Sequence, residues 1–298
     1  MATGARICSH CGALRAADDR TCPRCGRRDL PDGLKSIIGT YRDVFGSTMP
    51  LTWVFVFLCL LVFFGMYLPI WVQSQGSIMK LMGGQRLSDV LRWGGIVNFG
   101  GSGGVIRITA IEPWRWLSAM FVHFGPLHVG MNLVTLVALG RELEPRLGSG
   151  RFGVVFLVSG ILGFVVSDFW SVLSNSVGQT GGASGGLYGL IGALVGYLFA
   201  RKDPRFRSIL IEVAVLGVAM AMLFPVNNAA HIGGFISGFP LGILFFREKR
   251  PWRRDFLFGS FAGLLTLLSF VSIALSMRSP VVRAASRAEA LRGPSEGE

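Results

Sequence analysis

The sequence predicts an all-α polytopic membrane protein, and three observations carry that prediction. Hydrophobic residues fill 51% of the 298 positions and charged residues only 15%, with a mean hydropathy of +0.54. A soluble domain carries about 25% charged residues. The apolar residues fall in blocks of about 20, enough to cross a hydrocarbon core of roughly 30 Å as a helix. None of the blocks shows the alternation of an outer-membrane barrel strand, and in lipid the backbone must satisfy its own polar groups, which leaves helices. The same composition excludes disorder and a disulfide-stapled secreted fold.

Residues 1–46 hold four of the five cysteines and no apolar run, so a small soluble head is expected with no cleaved signal peptide ahead of it. Cys8 and Cys11 flank two residues, ten intervene, and Cys22 and Cys25 flank two more, with Gly12 and Gly26 directly after each pair. Each pair would aim two thiolates at one tetrahedral centre, and the glycine lets the backbone turn back beneath the metal. Two disulfides are disfavoured in a reducing cytosol. The head resembles a zinc ribbon. So short a segment buries little core, and a structural zinc would supply much of its folding free energy. Four thiolates leave no open position, so no cofactor is expected in catalysis.

Seven apolar spans follow, at about 51–72, 121–140, 152–170, 184–200, 208–224, 228–246 and 256–277. Cys59, alone in the first span, is read as lipid-facing or packing. The expected domains are the zinc head at 1–46, a six-helix core at 47–247, a basic loop and seventh transmembrane helix at 248–277, and a polar tail at 278–298. With the head inside, 20 of the 29 Lys and Arg face inward and nine outward. The bias toward the cytoplasm orients the chain with its N-terminus inside and its C-terminus outside, in a bacterial plasma membrane. It also accounts for most of the +12 net charge and the pI near 10.4, since the head carries eight basic against five acidic residues. Nucleic acid is therefore not expected as a partner; the head is read as structural or as a dock for a cytosolic protein.

Polar side chains at membrane depth are costly and mark function. Four clusters qualify: His123, His128 and Asn132 on the second span; Gly182-Ala183-Ser184-Gly185 with Tyr188 on the fourth; Ala230-His231 with Gly234, Gly238 and Gly242 on the sixth; and Trp114-Arg115 before the second. At 1.5 Å per residue, Ser184, His231 and His128 lie about 24, 22 and 20 Å from the inner face, nearly one level. Glycines at spacings of three and four on the fourth and sixth spans form stripes that let helices approach closely.

These motifs, in continuous order from Glu112 through Leu139-Gly140, Glu144, Arg146-Leu147-Gly148-Ser149-Gly150 and Ser184 to the glycines after His231, resemble the rhomboid family of intramembrane serine proteases over about residues 112–242. The resemblance implies Ser184 as nucleophile, His231 as base, and Tyr188 packed on the histidine ring in place of the usual carboxylate. The Ser184 N–H, His128 and Asn132 would form the oxyanion hole. His123, Gly182, Gly185, Gly234, Gly238, Trp114, Arg115 and Glu144 are read as supporting. The outer loop, about 73–115, is expected to rest in the outer leaflet, with Arg115 reaching lipid headgroups and Glu144 bracing the cytoplasmic loop. Expected substrates are single-span or multi-span membrane proteins in the bilayer, cut near the outer face where their helix unwinds at Gly, Pro or polar residues. The competing reading is a catalytically silent relative that binds membrane clients without cutting them. It would be expected to lack the serine or the histidine, and both are present. A transporter would show paired interrupted spans, and no such repeat is found.

Overall fold

The computed structural model describes residues 5–7, 14–16, 19, 21–23, 26, 49–75, 85–101, 103–224, 226–247 and 255–292. The chain separates into two compact units, Met1–Thr48 and Met49–Glu298. In the first, β1 (Ala5–Ile7) and β2 (Leu14–Ala16) pair antiparallel, with Ile7 opposite Leu14. Cys22 is buried. The Gly26 N–H donates to its carbonyl at 2.7 Å, and Gly26 takes φ +70°, a backbone turn that glycine makes without strain. Cys8, Cys11 and Cys25 lie outside the described residues.

The second unit is a helical bundle. Its first helix, α1 (Pro50–Gln73), is apolar all round, burying Phe55, Leu58, Cys59, Val62 and Met66 while Phe57, Leu61, Phe64 and Leu68 stay exposed. Cys59 is thus a packing residue. A short amphipathic helix, α2 (Leu87–Arg92), leads into β3 (Ile96–Gly101) and β4 (Gly104–Arg107). After α3 (Arg115–Ser118) and a 3-10 turn, the chain bends by 95° into α4 (Pro126–Leu147). The second span therefore starts at Pro126 rather than 121. Gly125, at φ +118°, makes the bend, and Pro126 starts the helix where its missing N–H costs nothing.

Gly148 alone separates α4 from α5 (Ser149–Leu173), after which β5 (Gly178–Thr180) precedes α6 (Ser184–Ala200). The remaining helices are α7 (Arg205–Leu223), α8 (Asn228–Arg247), α9 (Asp255–Met277) and α10 (Pro280–Arg292). Each of the seven expected spans overlaps a helix, the second only from Pro126 onward. Among the described residues five helices are long and apolar enough to cross a membrane, six if the bent pair counts as one, and α6 is shorter.

Helix α6 sits at the centre, packed on α8 and α5, with α9 beyond α5. The glycines make this closeness. A Cβ on Gly234, Gly238 or Gly242 of α8 would lie 2.1, 1.9 or 2.0 Å from the carbonyl oxygens of Gly185, Gly189 and Ala193 on α6. Reciprocally, one on Gly192 or Gly196 would meet the Phe235 and Phe239 carbonyls. The two backbones touch, so no side chain fits between them.

The bundle is mostly helical, as expected of an all-α membrane protein, and three features add to or correct the sequence reading. First, it carries a small sheet. β5 and β4 flank β3 in an antiparallel sheet, joining the outer loop to the strand ahead of Ser184, with Thr180 opposite Ile96. Second, Arg115 does not reach lipid. It is fully buried, donates from Nε to Glu112 at 2.6 Å and from Nη1 to the carbonyls of Leu91 and Gly95 at 2.7 and 3.0 Å. Third, the polar tail contains a helix, α10, that docks on α2. Glu289 accepts the Ser88 N–H at 3.0 Å and its hydroxyl at 2.5 Å, while Ser279 donates to Glu112. Burial there pushes the Asp89 carboxyl up, Arg86 and Arg92 pull it back, and Glu289 adds to the rise.

Glu144 is a helix cap. It is buried, and its carboxylate accepts the N–H groups of Leu51 and Thr52 at 2.9 Å each and the Thr52 hydroxyl at 2.6 Å. A negative charge satisfies orphan donors at the N-terminus of α1, where the helix dipole favours it. Gly140, one turn earlier, makes room: a Cβ there would lie 2.2 Å from Thr52 Oγ1.

Candidate active site

Ser184 opens α6 and His231 lies in the first turn of α8, and the glycine seam below brings them together. Ser184 Oγ and His231 Nε2 are 2.8 Å apart. The Tyr188 ring, one turn along α6, stacks on the imidazole with centroids 4.3 Å apart and planes 13° from parallel. Among the described residues no carboxylate bonds the histidine, so stacking and the Ser184 contact set the ring. A hydroxyl bonded to an imidazole nitrogen can pass it a proton as the oxygen attacks an electrophile.

The loop before Ser184 is clamped from above. The Gly182 N–H donates to the Ala119 carbonyl at 2.9 Å. His123 is fully buried: Nδ1 lies 3.1 Å from the Phe121 carbonyl, which assigns the ring proton there, and Nε2 faces the Ala183 N–H at 3.5 Å. His123 therefore supports the loop rather than facing the serine. Gly182 takes φ +125°, and a Cβ on it would stand 2.9 Å from His128 Nε2 and 3.8 Å from Ser184 Oγ. The space between hydroxyl and imidazole is thus kept open by a missing side chain. It is where an oxyanion could sit.

His128 is half-buried, with Nδ1 accepting the Phe124 N–H at 3.2 Å, so Nε2 carries the proton on the side facing Gly182. Its ring meets His123 edge-on at 5.0 Å. Asn132 reaches the cluster through His128, donating from Nδ2 to the His128 carbonyl at 2.8 Å, while its buried Oδ1 has no hydrogen-bond partner. The second N–H of that amide remains for a ligand. Trp114 stands apart from the serine, its indole N–H bonding Ser276 on α9 at 3.2 Å. Arg115 and Glu144 are likewise remote, each committed to the structural contacts above. Gly185, Gly234 and Gly238 form the seam.

Two polar groups outside the expected site residues hold the frame of the site. Asn227, half-buried, caps α8 by accepting the Ala230 N–H at 3.0 Å and donates to Ser167 at 2.6 Å and Thr180 at 3.3 Å. An Asn immediately before a helical run is a cap signal and was legible as one. Asp168, buried on α5, accepts the Thr109 hydroxyl at 2.5 Å and the Trp116 indole N–H at 2.6 Å, fixing the outer loop to the bundle. No local pattern announced it.

Beside the serine, a cleft of about 460 Å³ runs between α7 and the pair α6 and α8. Tyr188 and His231 line it together with Leu210, Val213, Gly217 and Phe235. Its wall is apolar except at the His231 end.

Residues 110–248 match the rhomboid domain. The chain is 38% identical over 148 residues to RHOMBOID-like protein 2 of Arabidopsis thaliana, covering 47% of this chain and 45% of that protein. It is 32% identical over 176 residues to Rhomboid-type serine protease 2 of Emericella nidulans, covering 56% and 34%. With Rhomboid protease GluP of Bacillus subtilis it shares 28% identity over 205 residues, 67% of this chain and 36% of that protein. The chain spans less than half the length of these curated relatives. The matches support the rhomboid family for the membrane unit and an integral multi-pass protein.

Proposed function

We propose that this chain is an intramembrane serine endopeptidase that cuts transmembrane helices through a dyad of Ser184 and His231. The observation that carries the reading is the 2.8 Å contact between Ser184 Oγ and His231 Nε2, on helices whose backbones touch and beneath a stacked tyrosine. His231 takes the proton as Ser184 Oγ attacks the scissile carbonyl. The Ser184 N–H, His128 Nε2–H and the second Asn132 amide hydrogen hold the resulting oxyanion beside Gly182. The proton then passes to the leaving amine, and water releases the acyl group from the serine by the reverse sequence.

Helix α6 has 17 residues, about 25 Å of rise, and so is shorter than the hydrocarbon core. Ser184 accordingly lies below the membrane surface, and water reaches it from the loop side. A substrate helix reaches it laterally, through the apolar cleft beside α7, unwinding at Gly, Pro or polar residues to present its peptide bond. Orientation follows the charge bias, with the loop face and α10 outside the cell.

The head is proposed to hold a structural zinc through Cys8, Cys11, Cys22 and Cys25. The Cys22 to Gly26 turn, with its positive φ and short N–H contact, fits a thiolate knuckle. That zinc would stabilise the head and take no part in hydrolysis.

The test is cleavage of a helix-destabilised single-span substrate by the purified chain, alongside labelling with a serine-directed phosphonate. Wild type cuts and is labelled; Ser184→Ala and His231→Ala fall to background, because nucleophile and base act as a unit. Undiminished cutting by Ser184→Ala rejects the serine mechanism.

A further inference from the structure

We infer that Asn227 is a positioning residue that sets the distance between the two members of the dyad. The inference rests on the Ser184 and His231 reading and adds to it. Thr180 lies four residues before Ser184, and Asn227 lies four residues before His231. The Asn227 amide joins these two points, donating from Nδ2 to Thr180 Oγ1 at 3.3 Å. The same nitrogen donates to Ser167 Oγ on α5 at 2.6 Å. Its oxygen accepts the Ala230 N–H at 3.0 Å, and its carbonyl accepts the His231 N–H at 3.2 Å.

One amide thus holds the start of the histidine helix against both the strand that leads to the serine and the helix behind it. The two reacting residues are 47 positions apart in sequence, so nothing local fixes their separation. Two constraints set it: the glycine seam holds the helices below the site, and Asn227 pins their upper ends. Thr180 is itself held in register, paired with Ile96 of β3. The brace therefore references His231 to a strand in a sheet rather than to a free loop. Asn227 touches neither Ser184 nor the imidazole, and acts through the backbone that carries them.

Asn227→Ala, Asn227→Asp and Thr180→Val are compared in the purified full-length chain by kcat and KM on a single-span substrate, with active sites titrated by the phosphonate. Asn227→Ala should lower kcat per titrated site by about 10- to 100-fold, the loss expected when a reacting group shifts by about 1 Å. KM should stay within about twofold, since the cleft is untouched. Asn227→Asp keeps the cap acceptor but loses both donors, and Thr180→Val removes one acceptor at constant shape. Each should give a smaller loss of kcat, and Thr180→Val combined with Asn227→Ala should be no worse than Asn227→Ala alone.

If Asn227 were only a helix cap, its loss would reduce the fraction of titratable sites and leave kcat per site unchanged, which would overturn the inference. Fully additive losses from Thr180→Val and Asn227→Ala would overturn the brace between them. Failure of the dyad itself reads differently: wild type then escapes the phosphonate, or Ser184→Ala still cuts.

Discussion

Replacing Gly238 by alanine should separate the serine from the histidine without touching either. The new Cβ would stand 1.9 Å from the Gly189 carbonyl oxygen and 2.6 Å from its carbon. Both are backbone atoms inside a helix, so nothing can rotate away. To restore van der Waals contact α8 must retreat from α6 by about 1.5 Å. Gly238 lies seven residues below His231, about two turns of a stiff helix, so much of that retreat carries to the imidazole. The Ser184 to His231 contact would lengthen from 2.8 Å to roughly 4 Å, beyond hydrogen-bond reach. A loss of kcat of about 100-fold is expected, with about 1–3 kcal/mol of overpacking destabilisation. Steady-state cleavage per phosphonate-titrated site measures the first and thermal unfolding the second. Gly263→Ala is the control, since a Cβ there meets nothing within 4 Å. If Gly238→Ala keeps wild-type kcat per site, the seam does not set the dyad distance.

Two further outcomes are expected. Glu144→Gln places an amide N–H against the donors of α1, so stability should fall by about 1–3 kcal/mol while kcat per titrated site holds; a drop in kcat at unchanged stability would move Glu144 into the mechanism. The head should carry one zinc per chain, lost in Cys22→Ser or on chelation, with cleavage by the membrane unit unaffected; metal analysis below about half an equivalent would count against the four-thiolate site.

The helices were legible because a membrane span writes itself as a continuous apolar block, and the candidate dyad because Ser184, His231 and His128 agree in depth and their motifs, in order, resemble the rhomboid family. Boundaries were harder. The second span drifted because Ala119–Phe121 is as apolar as the helix after it, and only Gly125-Pro126 marks the bend. Arg115 was misjudged because an arginine beside tryptophans suggests an interface; its partner Glu112, three residues earlier, was the better clue. The three-stranded sheet draws strands of six, four and three residues from two distant segments, too little local pattern to read. In the tail, Arg278, Arg283 and Arg287, which give it a polar look, are exposed, while Val282 is buried.

Helix α7 has no buried residue. Its side chains at Ile211, Val215, Leu216 and Met222 are all exposed, and it packs on α6 more sparsely than any other long helix packs on its neighbours. In a bilayer, a helix so placed gives up little when it leaves, because acyl chains solvate the surface it uncovers as well as protein does. The equilibrium between a closed and an open flank is then governed by lipid packing and membrane thickness as much as by the sequence. Turnover of one enzyme on one substrate should accordingly vary among bilayers of different acyl length, with the chemistry at Ser184 unchanged.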